Sequence, residues 1–341
     1  MKKFEGYQKG INLGGWYSQC VHTVQHYDSF IQEEDFARIA GWGLDHVRLP
    51  IDYELIETAD GKPVEDGYRR LQQVIDWCGR YHLNLILDLH KTAGFSFDDG
   101  EQENGFFDSE AMQERFYRLW EEIAGRFGQY ADRVAFELLN EVTDRNFTEK
   151  WNEIADTCIR RIRALSQSVN ILIGGFWNNS ILALPTLRMP RDEHIIYNFH
   201  FYEPLMFTHQ GATWIAGMPA EFRLNYPGNG KEYMALHEKM KLPVLNIFEA
   251  SGTSDADSRI FDNLFAQAAA LAEERGVALY CGEYGVIDTA SDADTVSWYT
   301  DIHNAFEKYG IGRAAWTYRR MNFGITDESR AAVTDKLISL L

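Results

Sequence analysis

The 341-residue sequence holds only four cysteines, Cys20, Cys78, Cys158 and Cys281. None forms a Cys-x-x-Cys pair, and Cys78 and Cys158 fall on apolar faces of helical patterns. They read as reduced core residues, which argues against a disulfide framework and a thiolate zinc site. Basic residues are also scarce: 33 Lys and Arg stand against 51 Asp and Glu, a formal charge of −18. Such a field repels phosphate backbones and anionic lipid, so nucleic acid and membrane surfaces are not expected partners. No apolar run approaches the roughly 20 residues that cross a bilayer. The start, Met1-Lys2-Lys3-Phe4-Glu5-Gly6, is charged but leads into no apolar segment. No signal peptide is therefore expected within this chain, and cytoplasmic and secreted locations both stay open. Linkers, internal repeats and low-complexity runs are missing too, so 1–341 is expected to be a single domain.

What is present is ample material for a core, with 45% hydrophobic and 14% aromatic residues. Apolar strand-like runs recur at Gly10–Trp16, His46–Ile51, Leu83–His90, Val134–Glu141, Ile171–Trp177, Ile195–Tyr202, Ala278–Gly285 and Arg313–Tyr318. Between them lie helical patterns. Phe116, Leu119, Trp120, Ile123 and Phe127 share one face; so do Trp151, Ile154, Ala155, Cys158, Ile162 and Leu165, and then Phe261, Leu264, Phe265, Ala268 and Leu271. Their spacing is that of an amphipathic helix, and their aromatics are core material. Strand–helix alternation implies a parallel sheet, because parallel strands need crossover connections. Eight such strands predict an α/β fold, a closed (β/α)8 TIM barrel, which typically takes ~250 residues. The surplus sits between the sixth and seventh strands, where 203–259 is expected to form a small inserted subdomain on the face that carries the strand ends.

Polar residues stand at the carboxy-terminal ends of the predicted strands, where barrel enzymes place their chemistry. The fourth run, Val134-Ala135-Phe136-Glu137-Leu138-Leu139-Asn140-Glu141, ends in an amide and a carboxylate. Taken alone, that pair fits a catalytic acid and a helix cap or surface ion pair equally well. Arg48, His90, His200, Tyr202, Glu283 and Trp316 occupy corresponding positions on other strands. Glu141 and Glu283 are placed to face each other across the barrel mouth. Two carboxyls whose pKa values are pushed apart can divide acid and nucleophile work, which is what cleavage of a glycosidic bond needs. Burial and a neighbouring charge would raise one; Arg48 and a tyrosine hydroxyl would keep the other ionised. Trp316 offers a flat apolar face of the kind a sugar ring requires.

The ordered set resembles glycoside hydrolase family 5, the (β/α)8 cellulases and mannanases. Within it, the runs GINLGGW, DHVRLP, AFELLNEV, YNFHFYEP, FTHQ and LYCGEYGV resemble the clostridial endoglucanase C group. The resemblance runs from about Gly10 to the C-terminus and includes the long insertion. It implies that Glu141 is the general acid/base and Glu283 the nucleophile of a retaining endo-β-glucanase. Asn140 would hold the sugar 2-hydroxyl, Arg48 and Tyr202 would hydrogen-bond the nucleophile, His90 and His200 would line the subsite of cleavage, and Trp316 would be its platform. Phe207 and Trp214 of the insertion are expected as further substrate-binding residues, with Trp16, Trp177, His209 and Gln210 as additional candidates. Two positions depart from many family cellulases: Val142 stands where proline is common, and Lys91 where a second histidine is common. Valine is usual in the endoglucanase C group; Lys91 bears on substrate detail.

No cofactor or metal is implied, a monomer is expected, and the partner is a β-glucan polysaccharide or oligosaccharide. A metal-dependent barrel using His22, His26, His90, His200 and His209 is disfavoured, since the first strand lacks a His-x-His pair and no strand-end Lys or Asp completes a two-metal cluster. A non-catalytic sugar-binding barrel would typically have lost a carboxylate, and both are present. The same chemistry on β-mannan, β-1,3-glucan or mixed-linkage β-glucan stays open, as does endo against exo action.

Overall fold

The computed structural model describes residues 1–98, 100–242 and 247–341. Eight parallel strands close on themselves: β1 (Lys9–Asn12), β2 (His46–Asp52), β3 (Asn84–Lys91), β4 (Val134–Glu137), β5 (Ile171–Ile173), β6 (Ile195–Phe201), β7 (Ala278–Tyr284) and β8 (Gly312–Ala315). Each pairs with its sequence neighbours, and β1 closes against β8, for example Gly10 opposite Ala314. This is the (β/α)8 barrel that the strand–helix alternation predicts. No helix among the described residues is long and apolar enough to cross a membrane.

The helical faces bury as their spacing requires. The helix Glu110–Phe127 sinks Phe116, Leu119, Trp120, Ile123 and Phe127, and Ser109 Oγ caps it by accepting from Met112 N. The helix Thr148–Leu165 buries Trp151, Ile154, Ala155, Cys158 and Ile162, while Leu165 at its last turn stays exposed. These side chains and the outward faces of the strands form one continuous core. A second, smaller cluster fills the lower barrel interior: Ile86, Ala135, Leu172, Ile196, Ala278, Tyr280 and Ala314, plugged from below by Phe4 and Tyr7. Above that layer the interior turns ionic, which apolar filling of a barrel does not lead one to expect. Asn12, Arg48, Asp88, Glu137 and Asn198 are all fully buried there.

Several strands end earlier than their apolar runs. β1 stops at Asn12, β4 at Glu137 and β5 at Ile173. The residues after β4 keep single contacts, with Leu138 N donating to Leu172 O and Asn140 N to Leu89 O, but the ladder is lost. Glu141 then takes φ 33°, a backbone turn that ends the extended run. The carbonyls freed by this irregularity find partners in the helix shell. Trp120 Nε1 donates to Leu138 O at 3.0 Å, and Trp151 Nε1 to Gly174 O at 2.8 Å. Buried backbone carbonyls need such partners once they leave a ladder.

Between β6 and the helix Arg259–Arg275 the chain makes a compact excursion. It contains the helices Leu205–Thr208, Gly230–Met240 and Ile247–Ser251 and a two-residue antiparallel ribbon pairing Gly228–Asn229 with Asp255–Ala256. Residues 243–246 of the span 203–259 lie outside the described residues. The excursion packs on its own aromatics, Phe207 on Tyr226 and Tyr233 on Phe248, and is tied to the barrel by Tyr226 Oη donating to Asp301 Oδ2 and Trp298 Nε1 donating to Glu203 O.

Trp120→Phe removes the donor to Leu138 O and leaves a buried carbonyl unpaired. We expect a loss of about 1–3 kcal/mol in urea unfolding. Unchanged stability would mean that this carbonyl has another partner.

Candidate active site

The carboxy-terminal ends of the strands open into a cleft of about 870 Å³. Its floor is organised by one guanidinium. Arg48, near the start of β2, is fully buried and reaches five neighbours. Nε and Nη2 form a fork on Glu137, at 2.7 and 2.8 Å. Nη2 also donates to Asn140 Oδ1 and lies 3.0 Å from Asp88 Oδ2. Nη1 donates to Asn12 Oδ1 at 2.9 Å and to Glu283 Oε1 at 2.8 Å. These acids hold the Arg48 charge against its burial, well above the ordinary guanidinium range.

Glu283 receives a second donor on its other oxygen, Tyr202 Oη at 2.9 Å. Burial, followed by the Glu283 charge, drives the Tyr202 hydroxyl upward, so it stays protonated and keeps donating. How Glu283 comes to face inward is a matter of register. Phe199 pairs with Cys281, but the next residue, His200, pairs with Glu283; on the other side Arg313 pairs with Cys281 and Ala315 with Tyr284. Gly282 is thus an extra residue in β7. A one-residue bulge moves the following side chain to the opposite face of the sheet. The bulge is pinned by Asn198 Oδ1, which accepts from Gly282 N at 3.0 Å, and by Asn12 Nδ2, which donates to Gly282 O at 2.9 Å. A Cβ at Gly282 would lie 2.8 Å from Asn198 Oδ1 and 3.0 Å from His200 Nε2, so glycine is required there.

Glu141 stands opposite. His200 Nδ1 is 2.7 Å from its Oε1, and Asn178 Nδ2 donates to its Oε2 at 2.9 Å. Oxygens of Glu141 and Glu283 and a ring nitrogen of His200 all lie within 4.8 Å of one another. Burial raises the Glu141 carboxyl above the ordinary range, with the Asn178 hydrogen bond opposing it. Burial also pushes His200 down to about 4 and lowers His90, so both rings are neutral near pH 7. The lone pairs that a cation would need are largely engaged, on Glu283 by Arg48 and Tyr202 and on Glu141 by Asn178 and His200.

His90 and Trp316 form one wall. Their rings lie parallel, 5.8 Å apart with a 4° interplanar angle, and Phe97 meets His90 edge-on. Asp88 Oδ2 sits 2.7 Å from His90 Nδ1. That contact places the ring proton on Nδ1 and leaves Nε2 as an acceptor toward the Asn140 amide and the cleft. Gly14 lets the indole settle, since a Cβ there would meet Trp316 Cη2 at 2.7 Å.

The family described as Cellulase (glycosyl hydrolase family 5) matches residues 5–322. The chain belongs to glycoside hydrolase family 5. Cellodextrinase A of Ruminococcus flavefaciens is 48% identical over 342 residues, spanning 100% of this chain and 94% of that protein. Endoglucanase C of Acetivibrio thermocellus is 37% identical over 340 residues, with 98% of each covered. Among solved structures, endoglucanase Cel5A of Thermotoga maritima superposes with a TM-score of 0.77 at 26% identity, over 98% of this chain and 97% of that one. The protein is therefore a glycoside hydrolase of the cellulase type.

For this family 5 chain, the expected site residues Arg48, His90, Asn140, Glu141, His200, Tyr202, Glu283 and Trp316 converge on one cleft floor. Trp214 lies on its rim, 57% exposed, with Trp177 at 44% and His209 also in the lining. Phe207 is a correction. It is fully buried against Tyr226 in the core of the excursion and does not line the cleft, because its helix turns that side chain inward. Trp16 is likewise buried, stacked on Tyr17, and Gln210 bonds backbone through Phe207 O and Leu224 N. Lys91 pairs with Glu54 and Glu101 at 2.6 and 2.8 Å. Sequence reasoning missed Asn12, Asp88, Glu137, Asn178 and Asn198. Two of these carried a signal: alternation along β3 puts Asp88 on the face of His90, and Glu137 is a charge inside an apolar run.

Arg48→Met leaves Glu137, Asp88 and Glu283 buried without their cation. We expect a loss of about 3–5 kcal/mol. Stripped of their cation, these carboxyls hold protons to higher pH in the folded than in the unfolded chain, so stability falls as pH rises. Thermal unfolding at pH 5 and pH 8 should show the larger deficit at pH 8. An equal deficit at both would contradict the ionic account.

Proposed function

We propose that the protein hydrolyses β-1,4-glucosidic bonds in cellulose-type and mixed-linkage β-glucans and in cellodextrins, with retention at the anomeric carbon. The observation that carries the reading is the asymmetry of two close carboxyls. Glu283 accepts from the Arg48 guanidinium on one oxygen and from the Tyr202 hydroxyl on the other. Glu141, with an oxygen within 4.8 Å of one on Glu283, is buried and shifted toward its protonated form. Inverting enzymes separate their carboxyls by roughly 6.5–9.5 Å to seat a water between them, whereas retaining ones use roughly 5–5.5 Å. The short spacing here favours direct attack.

In the first step a Glu283 oxygen bonds to the anomeric carbon as the glycosidic C–O bond breaks, and the Glu141 proton goes to the leaving oxygen. In the second, Glu141, now ionised, takes a proton from water, whose oxygen displaces Glu283 and restores both side chains. Asn140, positioned by Arg48, is suited to hold the sugar 2-hydroxyl. Trp316 supplies a platform for the sugar, and Trp177 and Trp214 offer exposed indoles along the rim. The substrate class rests on the relatives: their names, endoglucanase and cellodextrinase, concern polymer and short oligomers of β-glucan. The single-chain barrel needs no partner subunit in this scheme.

A panel of carboxymethyl cellulose, mixed-linkage β-glucan, xylan, mannan and cellodextrins with product-length analysis tests the substrate. Release of new reducing ends from the β-glucans is expected, and no release from any β-1,4-linked glucan would refute the proposal. Glu283→Ala should abolish turnover on every substrate. Glu141→Ala should lower it about 10²–10⁴-fold on cellodextrins but far less on aryl cellobiosides with good leaving groups, which need little protonation. An equal loss of both variants on all substrates would remove the division of roles. Activity is expected to persist in EDTA; loss restored by a divalent cation would replace this mechanism with a metal-assisted one.

A further inference from the structure

The loop after β5 carries a feature that the two-carboxyl scheme does not use. Trp177, Asn178 and Asn179 all take left-handed backbone angles, with φ of 56°, 56° and 54°. A left-handed conformation is unfavourable for residues with a Cβ and rarely runs over consecutive positions; asparagine tolerates it best. Such strain persists where the surroundings impose it, and it clusters at functional sites. Here the loop after β4 imposes it. Trp177 N donates to Thr143 O at 3.2 Å and Asn178 N to Val142 O at 3.1 Å. The two loops are thereby clipped together beside Glu141, and the strained turn delivers the Asn178 amide to Glu141 Oε2 at 2.9 Å.

We propose that Asn178 is a positioning residue for the proton-transferring carboxyl, its amide N–H holding the Glu141 carboxylate ready to act as a base in the second half-reaction. This rests on the acid/base reading of Glu141. Burial alone favours the protonated form of Glu141, which suits only the first half-reaction. A carboxyl that must give up a proton and then take one from water needs both forms accessible. His200 Nδ1 serves Oε1; Asn178 is the donor on Oε2. The other charged or titratable groups facing Glu141 are Glu283 on β7, Tyr202 beyond β6, His90 and Asp88 on β3, and Arg48 on β2. None of them is altered by a change at Asn178.

The test is a pair of variants read by pH profile. Asn178→Gly deletes the amide while keeping the left-handed backbone accessible, so the loop is not penalised. Asn178→Asp keeps the shape and replaces the donor by an acceptor. Removing a donor to the ionised form raises the pKa of Glu141. The alkaline limb of kcat/KM on cellodextrins, where the acid loses its proton, should therefore move up by about one pH unit in Asn178→Gly and further in Asn178→Asp. With an aryl cellobioside whose second step is limiting, kcat at acid pH should fall about tenfold, because less Glu141 is ionised. The acid limb of kcat/KM should stay in place. Wild-type limbs in both variants, or a rate loss equal at every pH, would overturn the proposal and leave Asn178 as a loop residue. Glu141→Ala is measured in parallel. If it shows no dependence on leaving group, the acid/base reading itself falls; if it does and the Asn178 limbs stay put, only the Asn178 assignment falls.

Discussion

The Arg48 guanidinium is the constraint on which the upper half of this barrel depends. A guanidinium has five N–H donors in a fixed planar fork, and here they are spread over Glu137, Asp88, Glu283, Asn140 and Asn12. Three carboxyls share one permanent cation. That imbalance is relieved by protons: burial pushes Asp88 up to about 7 and raises Glu137 as well. The fork on Glu137 fixes the plane of the guanidinium, and the plane fixes where its remaining N–H groups point. Lysine could supply the charge but not that geometry. Glu283 is thereby aimed by a residue on the far side of the barrel rather than by its own strand alone.

Its own strand contributes the bulge. Without Gly282 as an extra residue, alternation would leave Glu283 facing the helix shell. The asparagines at 12 and 198 hold the bulged peptide by its N–H and its carbonyl, and Asn198 also donates to Glu137 at 2.7 Å. One hydrogen-bonded network therefore runs from the nucleophile candidate through the bulge to the guanidinium and back. A buried polar network of this kind is stable because nearly every member is satisfied.

Much of this was legible in the chain. Parallel strands with crossover helices followed from the alternation of apolar runs and amphipathic faces. His90, Asn140, Glu141, His200, Tyr202 and Glu283 stood out because a polar group ending an apolar run has few structural explanations; Arg48, expected near the end of its strand, instead lies near the start of β2 and reaches the cleft floor by the length of its side chain. The signal at Glu137 and Asp88, a charge inside an apolar run, could not be used until its partner was known, and that partner, Arg48, sits on another strand: next to β3 for Asp88 and two strands from β4 for Glu137. The bulge at Gly282 was invisible because register is a property of pairs of strands. Phe207 was misplaced because an aromatic in an excursion faces a sugar or a small core with the same sequence signature, and only the packing against Tyr226 decides. Asn178 was missed because its importance lies in a backbone turn that no local pattern announces.

The indoles of Trp120 and Trp151 are partners for stray carbonyls at the ends of β4 and β5. They reach those carbonyls from the helices that follow β3 and β4, so the cleft floor and the outer shell are joined by hydrogen bonds as well as by packing. For protein engineering this makes the loop and the helix a single module. Loops transplanted from another family 5 barrel to replace those that carry Glu141 and Asn178 would bring carbonyls that the Trp120 and Trp151 donors no longer meet, unless the matching helices travel with them.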